Sequence, residues 1–226
     1  MRYRLKHRIS FLLMGRWMYK ALAETNGRDQ AARHRKLAAG QYRRMIESMQ
    51  PVADGDIMAH NVESGAVFLA FYIVGLSDPT LALSPGRFTK LVARSFDFSF
   101  IVNRIVPLKR MDPQAYYAKL AAGARWSQEH ADDHDDTFVF EMTDNPAVAG
   151  PDGRTVVGFD FHRCGLQKMA EKNHVDEALP ALCNLDYILI DRVPGVHLER
   201  EQTISGGCSR CTFRIVDDTG RQPGRR

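Results

Sequence analysis

Cysteine is missing from the first 163 residues of this 226-residue chain. The sequence also lacks a glycine-rich phosphate loop, a dinucleotide fingerprint and a G-x-S-x-G turn, so nucleotide-binding and serine-hydrolase classes have no support. No stretch approaches the ~20 apolar residues that span a bilayer. We therefore predict no integral membrane segment. The four cysteines present are Cys164, Cys183, Cys208 and Cys211.

The net charge of +4 is not collected in one basic patch, because the excess lies mostly at the two ends of the chain. A nucleic-acid reader usually interleaves basic and aromatic residues along one face, so we predict no nucleic-acid partner. The apolar run Ile9–Met14 is too short for a signal peptide, and Arg16 follows it closely. We expect a cytoplasmic protein whose cysteines are reduced thiols. Homo-oligomerisation stays open.

The basic N-terminal segment can be interpreted in two ways. Residues 8–24 predict an amphipathic helix with Phe11, Met14, Met18 and Leu22 on one side. That side is typical of packing against a core. Because basic residues precede the helix, contact with a membrane surface or a partner is a second interpretation of the same segment.

The first half of the chain predicts helices. Two of them begin with a capping residue followed by proline, Ser84-Pro85 and Asp112-Pro113, a pattern typical of a helix N-terminus. Residues 99–108 are left unassigned. The predicted helices span residues 8–24, 28–49, 57–76, 84–98 and 112–130.

After residue 136 the pattern alternates as strands do. Pro180 fits the first turn of a helix. Strands are predicted at 137–142, 155–161, 196–204 and 210–216, helices at 165–173 and 177–191, and turns at 145–153 and 205–207. The predicted fold class is α+β, a helical N-terminal half packed with a C-terminal module containing an antiparallel sheet of about four strands and two helices. We expect a helical region at 1–135 and the cysteine-containing module at 136–217, continuous as one domain, with a flexible tail at 218–226.

Spacing is most informative at Cys183. On a helix, Asp186 and Tyr187 follow it by three and four residues, so the three side chains project from one face. A neighbouring carboxylate raises the pKa of a thiol, so Asp186 is better suited to act as a general base toward water or to bind a cationic group. The alternative is a buried cysteine that behaves as a small hydrophobic residue, with Asp186 at the surface.

Cys208 and Cys211 form a C-x-x-C pair, a spacing that also occurs in zinc-binding sites. Cys164 and Cys183 would have to supply the other two ligands of a tetrahedral site. Zinc ribbons and fingers usually carry two such pairs and this sequence has one, so we predict no cofactor and keep the four-cysteine zinc site as the weaker alternative. Strand alternation points Cys211 to the apolar side and leaves Cys208 near the turn.

His162 lies two residues before Cys164 and shares its parity if the strand extends that far. Asp160 has the same parity, so an acid, an imidazole and a thiol would meet on one face. A cysteine–histidine nucleophile pair is one interpretation. The other is a strand-end histidine that bonds to the backbone.

Taken in order, several segments resemble the L-2-amino-thiazoline-4-carboxylic acid hydrolase family. The resemblance covers about residues 155–216. It is carried by Arg163-Cys164, the C-x-x-D of Cys183 and Asp186, Arg200 and Thr203 on a strand, the turn Gly206-Gly207, and Cys211-Thr212-Phe213. The chain departs from the family pattern at Thr212, where aspartate is usual, at Gly165, where proline is frequent, and at the extra Cys208.

The resemblance implies hydrolytic opening of a small cyclic amidine-like ring, such as 2-aminothiazoline-4-carboxylate, at a C–N bond. It implies a catalytic set near the reacting carbon and a substrate-binding set beside it, with Arg200 as the clamp for the substrate carboxylate. The catalytic set is Cys183, Asp186, Cys164 and Cys211; the substrate-binding set is Arg200, Tyr187, His162 and Thr203. For Arg200 a buried structural ion pair is the alternative.

Three functional hypotheses remain open at this point. The first is the hydrolase, acting on a small-molecule substrate. The second is a non-catalytic binding or sensing domain with the same cysteine-lined pocket. The third is an interaction protein in which the basic N-terminal helix is the working part.

Overall fold

The computed structural model describes residues 1–81, 83–98, 112–146, 154, 156–190, 192–193 and 195–217. The unassigned segment 99–108, most of the predicted turn at 145–153 and the predicted tail at 218–226 lie outside the described residues. Within them the fold is α+β, as predicted. The helical half is α1 (Leu5–Asn26), α2 (Arg28–Ser48), α3 (Ala59–Leu76), α4 (Pro85–Asp97) and α5 (Pro113–Glu129).

Local sequence chemistry sets where α4 and α5 begin. The Ser84 side chain accepts a hydrogen bond from the backbone N–H of Arg87, and Asp112 accepts from the first turn of α5. Proline follows each cap at the first helical position, where its missing N–H is not needed. Both predicted N-termini are confirmed.

The predicted core side of α1 is confirmed by burial. Phe11, Met18 and Leu22 are buried and Met14 is partly buried. The helix is longer than predicted at both ends, since it begins at Leu5 and continues to Asn26.

Four antiparallel strands form one sheet in the C-terminal half, in the order β1-β2-β4-β3. The β1–β2 pairing joins the strands predicted at 137–142 and 155–161, and Phe161 of β2 pairs directly with Cys211 of β4. The elements are β1 (Val139–Asp144), β2 (Val156–Arg163), α6 (Gly165–Lys172), a 3-10 turn (Asp176–Ala178), α7 (Leu179–Ile190), β3 (Val196–Glu199), a second 3-10 turn (Ile204–Gly206) and β4 (Cys211–Asp217).

The third strand is shorter than predicted, because β3 ends at Glu199 rather than at Ile204. The backbone N–H groups of Glu201 and Gln202 both donate to Thr212 Oγ1, at 3.0 and 3.1 Å, instead of extending the strand ladder. The predicted tight turn is the second 3-10 turn, which Gly207 closes in the left-handed region with φ of +90°. Residues 200–207 therefore form a folded loop beside the sheet, here called the β3–β4 loop.

One core joins the two halves. Helix α3 packs against α1, α2 and α6, while α4 packs on α7. Among the described residues α3 is the only helix whose length and hydropathy would suit a membrane span, and 67% of that window is buried. This burial identifies α3 as the central core helix of the fold.

Candidate active site

Arg200 draws three of the predicted site residues together. Its Nη1 donates to Asp186 Oδ2 at 2.8 Å, and its Nη2 donates to the carbonyl oxygen of Cys183 at 2.9 Å. Tyr187 Oη donates back to the Arg200 carbonyl oxygen at 3.3 Å. Helix α7 and the β3–β4 loop are therefore fastened to each other through the residues that the C-x-x-D spacing singled out.

The Arg200 guanidinium lies between two aromatic rings. Its central carbon is 4.7 Å from the Tyr187 ring centroid and 5.2 Å from that of Phe213, and the side chain is only 4% exposed. Cation–π contacts and the Asp186 pair together offset the cost of burying this charge. Its Nε is buried and has no hydrogen-bond partner among the described residues. The buried ion pair given above as the alternative role of Arg200 is therefore present, although Arg200 lies beyond the end of the strand.

Asp186 is the carboxylate of this site. Burial raises the pKa of Asp186 to about 6, and the guanidinium of Arg200 opposes the rise. The side chain nevertheless keeps 39% of its surface accessible, so a small molecule can reach it from solvent. A carboxyl group with a pKa near the working pH both accepts and returns a proton readily.

Two of the thiols, Cys183 and Cys211, lie near this pair, and Cys164 lies near those two thiols. Burial raises the pKa of the Cys164 thiol to about 12, and Cys183 and Cys211 act on it in the same direction. Burial also raises the pKa of Cys183 and of Cys211. Cys183 Sγ lies 3.2 Å from Ser205 Oγ, and Cys211 Sγ accepts from the Ile204 N–H at 3.1 Å. At neutral pH these side chains are protonated thiols, which are poor nucleophiles.

Thr203 stabilises the β3–β4 loop through hydrogen bonds to other residues of the loop. Its Oγ1 accepts a hydrogen bond from the Gly206 N–H at 3.1 Å and another from Ser205 Oγ at 3.4 Å. Both contacts hold the 3-10 turn that presents the Ser205 hydroxyl to Cys183. The hydroxyl of Thr203 is thus engaged within the loop.

His162 is not brought to this site. Phe161 pairs with Cys211 and takes the inner face of the sheet, so the next residue points to the outer face. There His162 Nε2 lies 3.0 Å from Glu141 Oε1, and the imidazole is exposed. The shared parity with Cys164 also fails, because the strand ends at Arg163 and Cys164 is the N-cap of α6. The cysteine–histidine pair, given above as one of two interpretations, is therefore not formed.

Cys208 stands apart from the other thiols, as its place in the turn predicted. It is exposed, whereas Cys211 is buried. Among the described residues, which include all four cysteines, no group of three or more His, Cys, Asp or Glu side chains is arranged to hold a metal ion.

Two residues at the site were missed by sequence reasoning. Tyr116, on α5, lies near Asp186: burial raises the pKa of Tyr116 to about 12, and the Asp186 charge adds to the rise. Ser205 contacts Cys183 as described. No local pattern marks Tyr116, since it comes from a helix far away in sequence. Ser205 was included only as part of a turn.

Comparison with known protein families gives a match to the part of the chain that contains this site. The model of the L-2-amino-thiazoline-4-carboxylic acid hydrolase family matches residues 102–215, half of the chain. The chain belongs to this family. The match begins before α5 and ends within β4, so it takes in Tyr116 as well as every residue of the site described above. No curated protein and no solved structure matches the chain.

Two of the three departures from the pattern of the L-2-amino-thiazoline-4-carboxylic acid hydrolase family, Thr212 and Gly165, have structural roles here. Thr212 accepts two loop N–H groups, which a carboxylate in the usual aspartate could also do. Gly165 packs closely, since a Cβ there would lie 2.6 Å from the Asp136 carbonyl oxygen and 2.8 Å from Val62 Cγ2. The missing side chain lets the start of α6, and with it Cys164, lie tightly against these neighbours.

Proposed function

We propose that this protein is a hydrolase that opens a small cyclic amidine-like ring, with 2-aminothiazoline-4-carboxylate as the first compound to test. Family membership supports the reaction class. The observation that carries the proposal is Asp186, a solvent-reachable carboxyl group whose pKa is raised to about 6 by burial and which Arg200 holds in place.

The reaction requires water to add to the carbon between the ring sulfur and the ring nitrogen. Asp186 as carboxylate takes a proton from the water while the new C–O bond forms. The carboxyl group gives this proton to the ring nitrogen of the adduct. It then takes the proton of the new hydroxyl group and passes it to the same nitrogen as the C–N bond breaks and the carbonyl group forms. The product keeps the sulfur and the exocyclic nitrogen on one carbonyl carbon and carries a free amine. One water is consumed and no oxidant or metal is needed.

In this scheme Arg200 is a positioning residue for Asp186. Two of its nitrogens are already bonded within the protein, to Asp186 and to the Cys183 carbonyl. Nη1 and Nη2 each keep one further N–H, and Nε has no hydrogen-bond partner among the described residues, so the guanidinium has unused donors for a ligand oxygen such as the substrate carboxylate. Tyr187 and Thr203 stabilise the loop that carries Arg200, and His162 has no part in the proposed site.

The proposed pocket is lined by protonated, uncharged thiols. Cys183, Cys211 and Cys164 all have a raised pKa because they are buried, so they act as polarizable walls rather than as nucleophiles. Tyr116 adds a phenol close to Asp186. We assign the water activation to Asp186 alone.

The test is hydrolysis of 2-aminothiazoline-4-carboxylate by the purified full chain, followed by mass spectrometry of the product. Asp186→Asn should abolish turnover, whereas Asp176→Asn, an exposed acid just before α7, should leave it unchanged. Cys183→Ala should reduce turnover without abolishing it, because the thiol is not the base. Undiminished turnover in Asp186→Asn would remove this assignment.

Calorimetric titration of the same compound separates the second hypothesis from the first. Tight binding by the wild type with no product would favour a non-catalytic binding or sensing domain. Absence of both binding and turnover would show that another ring system must be the substrate or that the proposal is wrong, and a panel of cyclic amidines with wild type and Asp186→Asn decides between these.

A further inference from the structure

A stripe of large apolar side chains is exposed along the outer side of α1. It comprises Leu5, Ile9, Leu12 and Leu13, which are exposed by 67%, 48%, 58% and 40%. Phe11 and Met18, on the opposite side of the same helix, are buried in the core. Single exposed leucines are ordinary, but a contiguous apolar stripe on a surface helix indicates a contact surface.

Charge of one sign accompanies this stripe. Between Met1 and Ala23 the chain has no aspartate or glutamate, and it carries six cationic side chains. One of them, Lys6, is paired with Glu63 of α3 at 2.6 Å. Arg16 and Lys20 line a depression together with Leu12 and Leu13. The cationic side chains are Arg2, Arg4, Lys6, Arg8, Arg16 and Lys20.

Helix α2 extends the cationic surface across a groove. A cavity of about 580 Å³ separates α1 from α2, with Leu12 and Tyr19 on one wall and Arg35 and Lys36 on the other. Nε of Arg35 is buried and has no hydrogen-bond partner among the described residues. A phosphate oxygen is an acceptor that suits such a donor.

We propose that α1, together with Arg35 and Lys36 of α2, is a docking surface for an anionic lipid membrane. The helix lies parallel to the bilayer, with the four apolar side chains in the acyl boundary and the cations at the headgroup phosphates. Charge complementarity selects this occupant, because cations and leucines alternate along α1 and no acidic residue precedes Glu24, which is itself paired with Arg94. The attachment is peripheral, since the apolar helix α3 is buried within the fold.

Co-sedimentation of the full chain with lipid vesicles tests this surface. Vesicles of phosphatidylcholine with about 30% phosphatidylglycerol should bind the protein at low salt, and pure phosphatidylcholine vesicles should not. Raising the salt concentration should weaken binding, because the headgroup attraction is screened. Equal binding to both vesicle types, or no binding to either, would overturn the proposal.

Matched variants locate the surface. Leu12→Glu should weaken binding by at least about fivefold, while Leu37→Glu, at another leucine that is 53% exposed but lies on α2, should not. Arg16→Glu should weaken binding to a similar extent, and Arg125→Glu on α5 makes the same change in net charge as its control. If Leu12→Glu instead splits a dimer in lipid-free sedimentation, the stripe is an interface between copies and the membrane proposal is wrong.

Discussion

Nη1 of Arg200 donates to Oδ2 of Asp186 at 2.8 Å, and this contact joins the β3–β4 loop to helix α7. The two partners differ in accessibility, since the arginine side chain is 4% exposed and the aspartate side chain 39%. The Arg200 guanidinium is therefore buried, whereas the Asp186 carboxylate is partly exposed to solvent. Such a pair orients the proposed acid–base group without hiding it from solvent.

Removing the buried partner should destabilise the fold. Arg200→Met leaves Asp186 without its guanidinium and the Cys183 carbonyl without its donor, so the free energy of unfolding should fall by about 3–5 kcal/mol. Arg125→Met, on the exposed side of α5, should change it by less than about 0.5 kcal/mol. Urea denaturation at neutral pH measures both. Equal stability of the two variants would mean that the Arg200 contacts contribute little.

The pH dependence of catalysis should follow Asp186. Burial raises the pKa of this carboxyl to about 6, so below pH 6 it is protonated and cannot accept a proton from water. We expect kcat/KM to rise with pH through about 6 and then to level off. Arg200→Lys should move this limb to higher pH, because the guanidinium hydrogen bond that opposes the rise is lost. A profile that is flat from pH 5 to 8 would contradict the role of Asp186 as the base.

Thr212 should matter through its oxygen rather than its size. Thr212→Val keeps the shape but removes the acceptor for the N–H groups of Glu201 and Gln202, and should cost about 1–3 kcal/mol of unfolding free energy. Thr212→Asp restores an acceptor of the kind usual in the family and should retain most of the stability. The same denaturation assay compares them. A tolerated valine would show that the loop is held by other contacts.

Gly165 should resist even a methyl group. The added Cβ of Gly165→Ala meets a backbone oxygen at 2.6 Å, which cannot move aside as a flexible side chain does, so a loss of about 1–3 kcal/mol is expected. Gly86→Ala is the matched control, since nothing lies within 4 Å of its Cβ position and α4 should gain slightly. Thermal unfolding followed by circular dichroism distinguishes the two.

Thiol labelling should separate Cys208 from the rest. At pH 7.5 one thiol should react rapidly with a disulfide reagent and three slowly, because burial raises the pKa of Cys164, Cys183 and Cys211 whereas Cys208 is exposed. Cys208→Ser should remove the fast phase. Mass spectrometry of the labelled protein identifies the sites, and rapid labelling of Cys183 in the native state would contradict its burial.

The parts of the fold that the sequence predicted are those encoded locally. The starts of α4 and α5 follow from Ser84-Pro85 and Asp112-Pro113, because a cap and a following proline act within one turn. The early end of β3 depends on Thr212, which is distant in sequence and which no periodicity connects to it. His162 was misplaced because the chain changes from strand to helix at Cys164, where strand parity no longer holds.

The site was predicted in outline and not in its contacts. Helical spacing correctly put Cys183 and Asp186 beside each other, but it could not show that Arg200 would fasten both. Tyr116 reaches Asp186 only because α5 folds back over the sheet, a tertiary event with no local signal. The raised pKa values likewise depend on burial, which the folded chain determines as a whole.

Helix α3 limits how short a fragment of this protein can be and still fold with an intact site. Its residue Gly65 approaches α6 so closely that a Cβ there would lie 2.1 Å from Leu166 Cδ2. Helix α6 follows directly from Cys164, yet α3 lies outside the family-matched segment 102–215. A fragment of residues 102–215 would therefore lack the helix that packs against α6, and the apolar side of α6 would be exposed to water. Any transplant of the site into another protein has to bring α3 with it.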